Sequence, residues 1–118
     1  MKDLIAIAIG AGFGGSLRHL ISLYSQKVHW NGVLLSNLLG CLCMGYILSS
    51  EKIPAAWKPF LTIGVLGGLT TFSSFAAQTM ELIQQQKYWS LTSYLFVSVL
   101  IGVLCCFLSF KTTQALKW

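Results

Sequence analysis

The sequence predicts an all-α, polytopic membrane protein with four transmembrane helices, and three observations carry that expectation. Of 118 residues, 55% are hydrophobic and only 9% charged, against roughly 25% charged in soluble domains. The apolar residues gather into four segments, about Leu4–Tyr24, Trp30–Ser50, Trp57–Ile83 and Trp89–Phe110. Each reaches the ~20 residues a helix needs to cross the hydrocarbon core. Trp30, Trp57, Trp89 and Trp118 stand at segment ends, where an amphipathic indole prefers the headgroup layer. A single four-helix domain over residues 1–118 is expected.

The first segment lacks a basic leader beyond Lys2 and is too long for a cleaved signal peptide, so it reads as a span. Arg18 lies within its apolar limits, next to His19. A charge so placed faces protein or water, and a fixed cation favours anions. His19 reads as a polar interface residue, because nothing nearby completes a metal site. After the short connection Ser25–His29, the second segment carries Ser36 and Asn37 away from its end. An amide at that depth costs several kcal/mol unless hydrogen-bonded. Asn37 therefore either glues two helices or faces a permeant species.

Glu51–Lys58 connects to the third segment, with Pro54 and Pro59 as helix stops. That segment contains Gly67-Gly68-Leu69-Thr70-Thr71-Phe72-Ser73-Ser74-Phe75. Two glycines and four hydroxyl residues replace the leucines of a simple span. Polar, irregular backbone survives in a bilayer only where protein or a water-filled path shields it. The third helix is expected to break near its middle, for function. Past Gln84–Tyr88, the fourth segment places Tyr94, Ser98, Gly102 and Ser109 near one stripe.

Small residues recur four apart in every segment: Gly10 and Gly14, Ser36 and Gly40, Gly64 and Gly68, Ser98 with Gly102 and Cys106. Such faces let helix backbones approach closely where no hydrophobic force drives association. Cys41 with Cys43, and Cys105 with Cys106, sit too close on a helix to face each other, so they read as small packing residues rather than a disulfide or metal set.

The net charge of +5 is scattered and forms no nucleic-acid patch. In a four-helix alternation Lys2, Lys52, Lys58, Lys111 and Lys117 fall on one side, and Lys27 and Lys87 on the other with Arg18 near. Positive-inside then favours cytoplasmic termini, but the bias is moderate enough to admit insertion both ways. Asp3, Glu51 and Glu81 are the carboxylates, none mid-membrane in the first, second or fourth segment. A proton-coupled cation exporter needs such a group. No cluster of nucleophile, base and acid supports an enzyme.

Three motifs in order, Gly10-Ala11-Gly12-Phe13-Gly14-Gly15-Ser16-Leu17-Arg18, Ser36-Asn37-Leu38-Leu39-Gly40 and Gly67 to Phe75, resemble the CrcB/Fluc fluoride channel family along essentially the whole chain. The resemblance implies passive, fluoride-selective export through two pores of an antiparallel, dual-topology dimer in the prokaryotic inner membrane. It implies a structural sodium ion held by the backbone carbonyls of Gly67 and Thr70 at the dimer centre. It places Phe72 and Phe75 along each pore, with Asn37, Thr71, Ser74, Tyr94 and Ser98 as polar lining and Arg18 concentrating anions at the vestibule. Two positions depart from the family pattern: Val33 stands where a hydroxyl residue is usual, and Gln78 where a glutamate is usual. Both are expected to remove a polar or charged partner beside a pore. A homodimer is expected; a heterodimer with a related subunit is the alternative. A small multidrug-type cation exporter is the competing function, and an accessory membrane subunit a third.

Overall fold

The computed structural model describes residues 2–27 and 31–117. Trp30 and Trp118, expected at segment ends, and His29 of the first connection lie outside the described residues. The first two spans are uninterrupted helices, α1 (Lys2–Lys27) and α2 (Gly32–Ser49). The third, Ala55–Gln84, contains a short 3₁₀ turn Ala55–Trp57, a π-helical stretch Phe60–Leu66, α3 (Gly67–Leu69) and α4 (Phe72–Gln84). The fourth, Tyr88–Ala115, runs through α5 (Tyr88–Phe96), a π-helical turn Val97–Ile101 and α6 (Gly102–Ala115). All four are long and apolar enough to cross a membrane. The fold is all-α among the described residues, and the third span breaks between Leu69 and Phe72, as its sequence predicts.

Local chemistry sets the helix ends. Asn31 caps α2, its Oδ1 accepting from the Leu34 N–H at 3.0 Å, which satisfies one of the orphan donors of the first turn. The end of α4 is a Schellman motif. Gln86 lies at φ 55°, its N–H donates to the Ile83 carbonyl, and the Lys87 N–H donates to the Leu82 carbonyl. Pro54 stands just before the 3₁₀ turn, and Pro59 precedes the π stretch, where a missing N–H costs nothing.

Two seams hold the bundle. α1 packs along the π stretch and α3, and α2 packs along α6. The small residues are what make both seams close. A Cβ on Gly14 would collide with the Val65 carbonyl, and one on Gly68 with the Ala11 carbonyl. On the other seam, a Cβ on Gly45 would collide with the Cys106 carbonyl. These are backbone contacts that no side-chain rotation relieves. Cys41, Cys43, Cys105 and Cys106 are free thiols, and Cys41 Sγ lies 3.5 Å from where a Cβ of Gly102 would stand.

The buried apolar set is small: Ile47, Leu66 and Leu69 form a cluster, with Phe75 and Tyr94 elsewhere. Large apolar side chains such as Leu4, Phe13, Leu48, Phe96 and Phe107 point outward. In water that distribution would be inverted; with lipid as the solvent it is the stable one. The longest extent, 47 Å, matches the ~40–45 Å of a bilayer with its headgroup layers.

Candidate functional site

The site is built on the break. Thr70 (φ −83°, ψ 156°) and Thr71 (φ −152°, ψ 117°) are both extended, between α3 and α4. Thr70 remains tied to the preceding turn: its N–H and its Oγ1 both donate to the Leu66 carbonyl at 2.9 Å. Thr71 has no helical partner and finds one on α2. Its N–H donates to Asn37 Oδ1 at 2.8 Å, and its carbonyl accepts from Asn37 Nδ2 at 3.2 Å. One amide side chain thus satisfies both backbone groups of the residue that most needs it. Left unpaired in an apolar setting, each would cost several kcal/mol.

The spacing of the second motif explains itself in this contact. Asn37 and Gly40 are three apart, hence on one face of α2. Asn37 receives Thr71, while a Cβ on Gly40 would strike Thr70 Cγ2. Asn37 grips the break and Gly40 makes room for it. Of the two roles open to Asn37, the gluing one is realised. Its Nδ2 still carries a second hydrogen.

Thr71 also starts α4. Its Oγ1 accepts from the Ser74 N–H at 3.1 Å and lies 3.1 Å from Ser74 Oγ, to which it donates. These bonds redirect two amides. In a continuous helix the Thr71 N–H would go to the Gly67 carbonyl and the Ser74 N–H to the Thr70 carbonyl. Here the first goes to Asn37 and the second to the Thr71 hydroxyl. The Gly67 and Thr70 carbonyls are the two so released.

Two clefts flank the break. The first, of about 250 Å³, is lined by Asn37, Thr70, Thr71, Phe72, Phe75, Ser98 and Val99. The Phe72 and Phe75 rings lie 5.6 Å apart at 46°, and Phe75 packs on Tyr94 at 5.2 Å and 43°. Phe75 is buried, whereas Phe72 is 80% exposed and contributes almost nothing to this chain's own core. Ser98, on the π-helical turn, has a buried Oγ without a hydrogen-bond partner. An unpaired hydroxyl in such a wall is a donor waiting for an acceptor. The second cleft, of about 240 Å³, is lined by Gly15, Arg18, His19, Ser22, Val33 and Ser74. Among the described residues, no carboxylate lines either cleft.

The residues singled out from sequence are therefore divided. Asn37, Thr71, Phe72, Phe75 and Ser98 share the first cleft; Arg18 and Ser74 share the second, joined to the first by the Thr71–Ser74 hydrogen bond. Tyr94 stands behind Phe75, and Gly67 lies exposed on α3. Val33 lies in the wall of the Arg18 cleft. Gln78 keeps polar partners: its Oε1 accepts from Tyr94 Oη at 2.7 Å and from Asn31 Nδ2 at 2.9 Å. Sequence reasoning missed Asn31. Its place before an apolar run signals a helix cap, but nothing local signals a bond to a residue 47 positions away.

Comparison with known proteins identifies the family. The family described as CrcB-like protein, Camphor Resistance (CrcB), matches residues 5–110. A protein of Desulfotalea psychrophila named fluoride-specific ion channel FluC is 38% identical, over 87% of this chain and 85% of its own length. Proteins of the same name from Phocaeicola vulgatus and Dichelobacter nodosus are 39% and 37% identical. They cover 88% and 98% of this chain, and 92% and 99% of their own lengths. Four membrane-spanning helices, a break clamped by an asparagine and this likeness along nearly the full length lead to one conclusion: the chain belongs to the CrcB family.

Proposed function

We propose that this protein is a fluoride-selective channel, in keeping with relatives named fluoride-specific ion channel, and that the anion leaves the cytoplasm through it passively. The observation that carries the reading is the first cleft: aromatic rings, an amide and a free hydroxyl, with no carboxylate in its wall. Aromatic rings are positive at their edges. Phe72 and Phe75 turned edge-on, with the remaining Asn37 N–H and the Ser98 O–H as donors, contact an anion without a formal charge. Such a site binds weakly enough to release, which conduction requires. Arg18, beside Ser74 in the adjoining cleft, raises the local anion concentration. A negative interior then drives the ion outward without coupling to another gradient.

The assembly we propose is an antiparallel homodimer with two pores. The exposure of Phe72 and Gly67 supports it, since both lie on surface that a second copy can cover. The Gly67 and Thr70 carbonyls, released from their helical partners, fit a structural sodium ion, because unwound backbone in membrane proteins supplies oxygen ligands to that cation. Held there, the ion would neutralise carbonyl dipoles from two breaks and tie them together. A cation exporter of the small multidrug kind has no carboxylate in either cleft to work with.

Reconstituted in liposomes, the lone chain is expected to discharge a fluoride gradient, read by a fluoride electrode, and to leave a chloride gradient standing. Equal chloride flux removes the selectivity. Flux appearing only when a related subunit is added replaces the homodimer by a heterodimer.

A further inference from the structure

We infer that Gln78 is a positioning residue of the permeation site, one that withholds the Tyr94 hydroxyl proton from the passing anion and sets the ring stacked on Phe75. This deepens the fluoride-channel reading and rests on it. The polarity of the cluster follows stepwise from α2. Asn31 Oδ1 is occupied by the Leu34 N–H at 3.0 Å, as the cap of α2. The amide is thereby oriented, and its Nδ2 is the atom presented to Gln78, at 2.9 Å. Gln78 must meet a donor with its carbonyl oxygen. That oxygen has no hydrogen, so at 2.7 Å the Tyr94 hydroxyl must donate to it.

A phenol has one hydroxyl hydrogen. Spent on Gln78, it leaves only lone pairs on the Tyr94 oxygen, which repel an anion. Tyr94 therefore serves the pore through its ring, 5.2 Å from Phe75 and tilted by 43°, and not as an anion donor. Gln78 lies three residues beyond Phe75 on α4, so the same helix face carries the ring and the strut behind it. The bonds also span three elements, α2 through Asn31, α4 through Gln78 and α5 through Tyr94. A carboxylate at position 78 would accept the same two bonds but would bring charge of the permeant ion's sign. The amide supplies the two bonds without that charge.

The test is fluoride efflux from liposomes for the wild type, Gln78→Met, Tyr94→Phe, the double variant and Gln78→Glu, with protein-free liposomes subtracting leakage of neutral HF. Gln78→Met removes the shared acceptor and is expected to lower flux about five- to tenfold, the scale of one to two neutral hydrogen bonds. Adding Tyr94→Phe to it is expected to cost nothing more, since both changes cut one strut. Gln78→Glu keeps the acceptor and serves as the test should Gln78→Met fail to fold. Its flux is expected below wild type near about pH 8 and restored toward about pH 4, as protonation discharges the carboxylate. Glu81 on α4 and Lys87 at the N-cap of α5 are ionisable groups of the elements that hold the cluster, and Arg18 and His19 line the cleft of Ser74; the wild-type pH profile accounts for them. Multiplicative losses in the double variant, or a Gln78→Glu flux equal to wild type at every pH, overturn the inference alone. Absence of wild-type flux overturns the channel reading and this inference with it.

Discussion

Between Phe60 and Leu69 the third span lies backbone to backbone against α1, whereas from Thr71 to Gln84 it is held by side-chain hydrogen bonds to α2 with its N-cap and to α5. On the first half, Gly14 meets Val65 and Gly68 meets Ala11 with no space for a methyl group. On the second half, Asn37 holds Thr71, Gln78 holds Tyr94 and Asn31, and two tilted aromatic pairs fill the gap. The contrast separates anchoring from function. Backbone contacts cannot be adjusted, so the first half is a fixed strut. Side-chain bonds place donors, acceptors and ring edges at chosen angles, which an ion path needs and a strut does not.

The largest expected effect comes from the strut. Gly14→Ala sets a methyl group against the Val65 carbonyl and is expected to cost about 3 kcal/mol, lowering the yield of monodisperse protein. A variant as stable as wild type to denaturation in detergent would mean the α1 seam is looser than its geometry. Next is the clamp. Asn37→Ala leaves the Thr71 N–H and carbonyl unpaired and is expected to cost about 2–4 kcal/mol. Fluoride flux should drop by at least about tenfold. Wild-type flux would show that the break holds its shape by itself.

Ser98→Ala sharpens the comparison, because its two readouts should part. The Ser98 hydroxyl has no partner, so removing it should leave stability within about 0.5 kcal/mol. Flux should nevertheless drop several-fold, if the hydroxyl donates to the ion. Parallel losses in both would assign Ser98 to packing. The smallest effect is expected far from either half. Gln86→Gly relieves a left-handed residue in the α4–α5 turn and should stabilise by about 0.5–1 kcal/mol with flux unchanged. A destabilised variant would show that the turn depends on the Gln86 side chain.

Much of the molecule was legible beforehand because membranes impose simple periodicities. Four apolar runs of spanning length, small residues four apart and a polar interruption in the third run each follow from what a bilayer tolerates, and each is present in the fold. Which of the singled-out residues share a cleft was less legible. Arg18 and Ser74 occupy a different cleft from Phe72, Phe75 and Ser98. Ring faces and cleft walls depend on how α4 and α5 turn toward one another, and no spacing encodes that rotation. Gln78 illustrates the same limit. By composition it is a lost charge; in the fold it is the acceptor shared by two helices.

The sequence by itself determined the spans and the break, since hydropathy, glycine spacing and hydroxyl content are local properties. Only the tertiary structure decided who satisfies the break. The partners of Thr71 and Gln78 lie 34 and 47 positions away, and a hydrogen bond across helices is set by packing geometry rather than by neighbours in the chain.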